Sequence, residues 1–255
     1  MGCPCKEKKI KKLPKTALSS VKVSIYPGCC KQYEEEFSNL IEALNLLPCE
    51  YYIFDELPCC SHNVFAFLRP QLAVKVNINS LEEMSKYSNV ALTSCSSCFL
   101  CFKETLKVAY EVYREHVVNP FFKLYNSFTF LYKFFFRYLY TALSFYQNKK
   151  ILFLIGIHNI LGEDRKDIFY DYLMEFSDLN IDIFEYKYFD FNTLRKYKIY
   201  KEPFDFYVET LKKVKEKYDL AISFSSLNTF FLKQIFKDFI KDIWKEIANL
   251  KYRLG

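Results

Sequence analysis

The cysteines are the residues of this chain whose type and spacing indicate chemistry. There are ten in 255 residues, and all lie between Cys3 and Cys101. Half of them follow a spaced pattern, with 29 residues between the first and second groups and 34 between the second and third. The three groups are Cys29, the adjacent pair Cys59 and Cys60, and Cys95 with Cys98. A chain with no apparent secretory leader is expected to be cytoplasmic, where clustered cysteines indicate metal or redox chemistry.

Three chemistries suit this pattern. A zinc site needs four tetrahedral ligands around one ion, and neighbouring thiolates such as Cys59 and Cys60 rarely reach one small ion without strain. An iron–sulfur cluster is larger and allows adjacent thiolates to bind different irons, so it explains the adjacent pair better. A dithiol–disulfide site accounts for the Cys95-x-x-Cys98 motif but not for the other two groups.

Each cysteine group follows a segment that is predicted to form a β-strand. Val21–Tyr26, Tyr51–Phe54 and Val90–Leu92 are short runs of β-branched, aromatic and apolar residues, and segments with helical spacing separate them. This alternation predicts an α/β fold, with a parallel sheet and helices on its faces. Sites in such sheets lie beyond the carboxyl ends of the strands. We therefore expect three loops at one end of the sheet to bring the five thiols together.

The second half of the chain repeats this layout without cysteines. Ile151–Ile155 is predicted as its first strand, and Leu220–Phe224 as the counterpart of the third strand. In the first copy, 67 residues separate the strand-end Gly28 from Cys95. In the second copy, 69 residues separate Gly156 from Ser225. We interpret this as an internal duplication that gives two pseudo-repeated small parallel-sheet domains with flanking helices. Two unrelated α/β halves are the alternative.

The predicted organisation has four segments. They are a flexible basic arm at 1–20 carrying Cys3 and Cys5, a cysteine-rich domain at 21–118, an aromatic helical linker at 119–148 and a cysteine-free copy at 149–255. The linker is interpreted as core or interdomain packing with its basic side chains reaching solvent. A membrane-surface or partner-docking face is the alternative.

At these cysteines the sequence resembles the cysteine-rich CCG domain found in the disulfide-cleaving subunit of heterodisulfide reductase. The similar segments are Tyr26-Pro27-Gly28-Cys29, the pair Cys59–Cys60 and Thr93–Phe99 (TSCSSCF). The domain also occurs in related subunits of thiol:fumarate, succinate, lactate and glycolate oxidoreductases. The resemblance covers about residues 20–110 well and residues 150–236 only as layout. It implies a non-cubane [4Fe-4S] cluster whose ligands would be Cys29, Cys59, Cys60, Cys95 and Cys98.

The chain departs from the family pattern in two places. Ser61 follows the cysteine pair, where the family has a glycine. The second copy has lost every ligand, and its counterparts of the cysteines are Ile157, the Tyr186–Phe191 region, Ser225 and Asn228. We therefore expect one cluster per chain. The family's cleavage of a heterodisulfide by two clusters is then not available within this chain.

The resemblance implies an oxidoreductase subunit that passes electrons to or from a thiol, a disulfide or a partner. The resemblance also implies two partners, a ferredoxin-type iron–sulfur subunit and a flavin-containing subunit. The sequence has no GxGxxG or Walker loop, so a flavin or nicotinamide cofactor is expected on a partner and not on this chain. The net charge of +6 is spread along the chain and does not indicate nucleic acid. No apolar stretch is long enough to predict a transmembrane segment. The alternatives are a non-catalytic scaffold with a structural Fe–S or zinc site and a cluster-free thiol redox protein.

Four further residues lie close to the motif in sequence. Cys30 is a rival to Cys29 as the ligand of the first loop. Cys101 extends the motif to CxxCxxC and is interpreted as a buried apolar residue, with a spare ligand as the alternative. Cys49 is interpreted as structural, and His62 as a loop histidine rather than a proton donor.

Overall fold

The computed structural model describes residues 21–60, 70–113, 119, 121–154, 174–184 and 202–254. Several positions singled out above lie outside these residues. They are the predicted arm with Cys3 and Cys5, the loop residues Ser61 and His62, Gly156, Ile157, Tyr186–Phe191, and the side chain of Cys29.

The described elements of each half follow one another in chain order. The first half comprises β1 (Val21–Tyr26), a 3₁₀ turn (Gly28–Gln32), α1 (Glu34–Leu46), β2 (Cys49–Ile53), α2 (Pro70–Ser85), β3 (Val90–Thr93), α3 (Ser96–Val108), a π-helical turn (Ala109–Tyr113), β4 (Lys123–Asn126) and α4 (Ser127–Ser144). The second half comprises β5 (Ile151–Leu154), β6 (Ile181–Ile183), α5 (Glu202–Lys215), β7 (Leu220–Ser223), α6 (Ser226–Phe236), a 3₁₀ turn (Lys237–Phe239), β8 (Ile240–Asp242), α7 (Ile243–Ala248) and α8 (Leu250–Arg253).

The first half forms a parallel four-stranded sheet in the order β2-β1-β3-β4. Val21 pairs with Cys49, so β1 and β2 begin level with each other. Ser24 pairs with Ala91 on the other side of β1. The last four residues of β1 are buried, as expected for the central strand of a sheet that is covered on both faces. The predicted alternation of strands and helices is confirmed in this half.

The second half forms a second parallel sheet with the corresponding order, β6-β5-β7-β8. Each strand occupies the place of the strand four positions earlier in the chain, and all three pairings are parallel in both sheets. The predicted α/β fold with two pseudo-repeated parallel sheets and flanking helices is therefore confirmed. The fourth strand of each sheet, β4 or β8, is an element that the sequence patterns do not predict.

Alternating residues of the central strands face two different layers. Val23 and Ile25 of β1 and Phe153 of β5 belong to one shared core between the two sheets. Tyr26 of β1 faces the opposite way, toward a cluster with α2 and α3, and Leu152 of β5 faces a third cluster with α5 and α6. Because successive side chains of a strand point to opposite faces of its sheet, one face of each sheet lies against the central core.

The segment at 119–148 contributes to that central core. The sequence predicts a helical segment here, but its first part contains strand β4, and α4 follows from Ser127. Asn126 is the N-cap of α4, and its side chain accepts a hydrogen bond from the Thr129 amide at 2.9 Å. The Phe128 ring contacts the rings of Phe153 and Phe224 in the second half, at centroid distances of 6.4 and 5.2 Å. This segment is part of the packing between the halves, as predicted. Among the described helices, none has both the length and the apolarity needed to cross a bilayer.

Polar contacts join the two halves at the rim of the core. The α1 helix packs against α7, and the Glu35 carboxylate on α1 lies within 3.2 Å of the Lys233 ammonium and 3.1 Å of the Lys245 ammonium. Lys251 reaches Glu42 at 3.1 Å. These exposed pairs contribute little individually. The shared apolar core is the main contact between the halves.

Candidate thiol site

Three loops at the carboxyl ends of β1, β2 and β3 carry the cysteines of the motif, as the sequence predicts. Five cysteine side chains from these loops and from α3 lie together in one cluster, and we call them the thiol site: Cys30, Cys60, Cys95, Cys98 and Cys101. Each is at most 7% exposed. The parallel sheet is the reason for this meeting, because it aligns the ends of strands that are distant in sequence.

Cys95 is at the N-terminus of α3, where backbone N–H groups lack helical partners. The neighbouring Cys30 and Cys98 thiols, and then the N–H groups of Cys98 and Ser97, hydrogen-bond to it and hold its pKa well below the ordinary thiol value. Cys95 therefore ionises more readily than an ordinary thiol, and it is positioned to act as a thiolate.

Cys30 is the hydrogen-bond partner of Cys95 on the opposite loop. Donation to Cys95, together with burial, raises the pKa of Cys30 well above the ordinary thiol value. The Ser94 hydroxyl lies 3.3 Å from the Cys30 sulfur, and the Ser226 hydroxyl of the second half lies beside it. These two hydroxyls stabilise the ionised form of Cys30 and lower its pKa, which partly offsets the increase caused by Cys95 and by burial.

The second loop meets α3 at Cys60. The Cys60 and Cys98 sulfurs are 3.3 Å apart, and the Cys101 thiol donates to the Cys60 carbonyl oxygen at 3.0 Å. Hydrogen bonds from Cys60 and then from Asn77 lower the pKa of Cys101 against the effect of burial. Asn77 lies on α2, and its side-chain nitrogen is 3.2 Å from the Cys101 sulfur.

Gly28 is required by the close packing of the first loop. Its φ is +52°, a left-handed conformation that other residues rarely adopt. A Cβ at this position would lie 2.7 Å from the Cys98 sulfur and 2.8 Å from Cε1 of Tyr26. The Tyr26 hydroxyl in turn donates to the carbonyl oxygen of Pro58 at 2.7 Å and so ties the first loop to the second. The glycine therefore allows the backbone to approach the thiol site.

Three of the five cysteines that the resemblance selects as ligands lie in the buried thiol site: Cys60, Cys95 and Cys98. The side chain of Cys59 is exposed, and its thiol lies near enough to Cys101 to act on the pKa of that residue. The choice of Cys29 over Cys30 stays a prediction because the Cys29 side chain lies outside the described residues, whereas the Cys30 thiol is in the site.

Cys101 of the thiol site and its neighbour Asn77 make contacts that the sequence does not indicate. Cys101 is not merely a buried apolar residue, since its thiol faces Cys60 and Asn77. Its spacing of three from Cys98 was the available signal, because residues three apart share a helix face. No sequence pattern indicates the contact of Asn77 with Cys101, because Asn77 lies on a helix distant in sequence from every cysteine loop.

Cys49 lies apart from the thiol site, as its structural interpretation predicts. It begins β2, and its thiol is 3.6 Å from the Leu44 carbonyl oxygen. Burial raises its pKa to about 12. Such a thiol remains protonated at neutral pH, which suits it as a control for the thiols of the site.

The second half closes over the thiol site from the other side. The Ser226 amide donates to the Ser94 carbonyl oxygen at 3.0 Å, and the Ser96 amide donates to the Ser225 hydroxyl at 3.3 Å. Ser225 precedes α6 as Cys95 precedes α3. The loops containing Ser225 and Cys95 therefore meet at the junction between the halves.

Local hydrogen bonds support the equivalence of Cys95 and Ser225. The Thr93 hydroxyl lies 3.4 Å from the Cys95 carbonyl oxygen, and the Ser223 hydroxyl lies 3.3 Å from the Ser225 carbonyl oxygen. The same type of contact thus recurs at the same position relative to β3 and β7. Ser225 is therefore the structural counterpart of Cys95, as the sequence predicts.

The donor set of the thiol site suits a soft metal centre. In the part of the chain that the structure describes, no three His, Cys, Asp or Glu side chains are arranged to hold one metal ion. The thiols instead contact one another, Cys95 with Cys30 and Cys98, and Cys98 with Cys60. Buried cysteine thiolates are the usual ligands of iron–sulfur clusters, so the residues fit such a group by their chemistry.

Sequence comparisons add no family to this description. No protein-family model matches the chain, and no curated protein matches it. The cysteine pattern and the geometry of the thiol site are therefore the basis for assigning a function.

Proposed function

We propose that this chain is an iron–sulfur protein similar to the disulfide-cleaving subunit of heterodisulfide reductase, and that it passes electrons through one non-cubane [4Fe-4S] cluster. The observation that carries the proposal is the meeting of Cys30, Cys60, Cys95 and Cys98 from three loops in one buried site. The ligands of the resemblance are Cys29, Cys59, Cys60, Cys95 and Cys98, with Cys30 as the rival in the first loop.

When bound, the cluster supplies one-electron transfer to or from a thiol, a disulfide or a partner subunit. The chain's own residues prepare the site for it. The N–H groups of Ser97 and Cys98 stabilise the Cys95 thiolate. Burial of the thiols excludes water, and hydrogen bonds and solvent exclusion are among the factors that set a cluster's reduction potential.

The partners in this proposal are a ferredoxin-type iron–sulfur subunit and a flavin-containing subunit, in a cytoplasmic complex. The cysteine-free half supports a role inside an assembly, because it contributes packing and loop contacts to the site but no thiol. With one cluster in the chain, electrons must enter or leave through another protein or a small thiol.

Burial of the site favours one second candidate, a non-catalytic scaffold. Cys30, Cys95 and Cys98 have no exposed surface, and structural metal sites are closed in the same way. In this alternative an Fe–S or zinc site would only hold the three loops together, and the second half would serve assembly.

Electron paramagnetic resonance distinguishes these functions. The protein is purified without oxygen and reduced, and spectra are recorded before and after a low-molecular-weight disulfide or thiol is added. The proposal expects a cluster signal that changes on this addition, is lost in Cys95→Ala and persists in Cys49→Ala. A cluster signal that is indifferent to both reagents would favour the scaffold.

A further inference from the structure

The second half holds two serines of one loop against the thiol site. Ser225 and Ser226 lie at the start of α6. The Ser226 amide donates to the Ser94 carbonyl oxygen at 3.0 Å, and the Ser225 hydroxyl accepts a hydrogen bond from the Ser96 amide at 3.3 Å. These two hydrogen bonds fix the backbone of Ser226 against the loop that carries Cys95.

The Ser226 hydroxyl lies beside the Cys30 thiol. Hydrogen bonding with Cys95 and burial raise the pKa of Cys30, and the Ser226 hydroxyl is close enough to act in the opposite direction. The contact falls short of a regular hydrogen bond, and the hydroxyl oxygen is buried without another partner among the described residues. Such a hydroxyl costs free energy that alanine at the same position would avoid. Packing alone therefore does not account for the hydroxyl.

Cys30 has a second hydroxyl beside it, which comes from the first half. The Ser94 hydroxyl donates to the Cys30 sulfur at 3.3 Å. The sulfur of a protonated thiol is only a weak acceptor, so it gains little from two O–H donors. A thiolate carries a negative charge and accepts stronger, charge-assisted hydrogen bonds. Two hydroxyls, one from each half, therefore suit a Cys30 thiolate better than a Cys30 thiol.

Burial makes these donors hard to replace. Cys30, Ser94 and Ser226 are each at most 2% exposed, so bulk water does not reach the Cys30 sulfur in their place. A buried negative charge is costly unless hydrogen bonds stabilise it. Donors around a ligating atom also orient that atom and raise its affinity for a metal. The two hydroxyls have the chemistry and the position for this task.

We infer that the Ser226 hydroxyl donates a hydrogen bond to the Cys30 thiolate when the site is loaded, so that the cysteine-free half forms part of the metal centre. This role rests on the proposed function, with Cys30 as the thiolate of the first loop. Ser226 is a positioning residue, because it acts on the metal through Cys30. The second half thus adjusts the site without supplying a ligand to it.

The test measures how tightly the reduced, iron-free chain binds cadmium, a soft metal ion that prefers thiolate ligands. Ser226→Ala removes the hydroxyl and keeps the backbone amide that bonds to Ser94, so the fold is retained; circular dichroism checks this. Ser94→Ala removes the other hydroxyl at Cys30. Ser223→Ala is the matched control, because Ser223 is a buried serine of the same half whose hydroxyl lies by the Ser225 carbonyl oxygen.

Ser226→Ala is expected to bind cadmium about tenfold more weakly than the wild type, which is typical of losing a group that supports a metal ligand. Ser94→Ala is expected to change in the same direction, and Ser223→Ala to keep the wild-type affinity. Competition with a chelator, followed by the ultraviolet absorption of the cadmium–thiolate bond, measures these affinities. Wild-type affinity in Ser226→Ala, or an equal loss in Ser223→Ala, would overturn the inference.

A double-mutant cycle tests whether Ser226 acts through Cys30. In the Cys30→Ala background, Ser226→Ala is expected to cause no further loss of cadmium affinity, because the sulfur that it serves is gone. The same loss in both backgrounds would contradict the role given to Ser226, since the hydroxyl would then act on the site by another route.

Failure of the proposed function gives a different result. Wild-type protein that takes up no iron and sulfide on reconstitution contradicts the proposed function, and the cadmium affinities then decide the role of Ser226. Where iron and sulfide are taken up, the midpoint potential is a second readout. A donor to a ligand sulfur stabilises the additional negative charge of the reduced state and so raises the potential. Ser226→Ala is expected to have a lower midpoint potential than the wild type and Ser223→Ala. An unchanged potential in Ser226→Ala would overturn the inference.

Discussion

At the scale of single residues, the thiols of the site differ in their readiness to ionise. Cys95 receives hydrogen bonds from two thiols and two backbone N–H groups, and its pKa is lowered. Cys30 donates to it, and its pKa is raised. A thiolate is the form that binds metal, so Cys95 is the residue expected to bind first.

The first loop offers a direct test of which neighbour is the ligand. The sequence favours Cys29, whereas the contact with Cys95 favours Cys30. We expect Cys30→Ala to lose most of the bound iron and Cys29→Ala to keep it, measured as iron per chain after purification without oxygen. Loss of iron in Cys29→Ala alone would show that the ligand of the resemblance is correct.

Residue identities in the site were only partly predictable. The sequence predicts that Cys60, Cys95 and Cys98 meet because each follows a strand, and parallel strands end at one edge. Asn77 was not predictable, since its contact with Cys101 depends on how α2 packs against α3. A single polar residue that faces a helix distant in sequence is part of no repeating pattern, so the sequence does not indicate its partner.

At the scale of elements, β8 leads directly into α7 through a buried carboxylate. Asp242 accepts a hydrogen bond from the Trp244 amide at 3.1 Å and another from the Asn39 side chain at 3.2 Å. Burial raises its pKa to about 7, although the charge of Lys233 and these hydrogen bonds act in the other direction. The nearby Glu36 carboxylate, also buried, raises it further.

This carboxylate makes stability depend on pH. The pKa of Asp242 in the unfolded chain is near 3.8. Between about pH 4 and pH 7 the folded chain therefore holds a proton at Asp242 that the unfolded chain has lost. The stabilisation from that proton is complete below the unfolded-state pKa of 3.8, and it is lost as the pH rises through the folded-state pKa of about 7. Urea unfolding at pH 5 and pH 8 measures it. We expect the wild-type free energy of unfolding to fall between these pH values by on the order of 2 kcal/mol more than that of Asp242→Asn.

The Asp242→Asn variant is the necessary control for this pH dependence. Other groups titrate as well, including Glu35, whose pKa is lowered chiefly by its hydrogen bond with Lys245 and whose contribution has the opposite sign. A pH dependence that is identical in wild type and Asp242→Asn would contradict the role given to this carboxylate.

The elements themselves were predictable where they were long or central. β1, β3 and α1 show clear apolar patterns, and the structure confirms them. β4 (KLYN) and β8 (IKD) are short edge strands that lack the run of apolar residues found in the equally short β3 (VALT). Their pairing at the sheet edge depends on tertiary contacts with β3 and β7 and not on local sequence.

At the scale of the whole molecule, two sheets of the same strand order share one core. The first half carries the thiol site, and the second half covers it through Ser225 and Ser226. Ser225 occupies the position of Cys95, and the sequence has no cysteine after Cys101. The repeated fold could be predicted from the sequence because the two halves share their order of strand patterns and the spacing between their loops.

The central claim is that one chain binds one iron–sulfur cluster through the thiols of its first half. Counting iron, acid-labile sulfide and zinc per chain after purification without oxygen tests it most directly, with Cys95→Ala measured beside the wild type. We expect about four iron and about four sulfide per wild-type chain and a large loss of both in the variant. Iron near zero together with about one zinc per wild-type chain would contradict the claim.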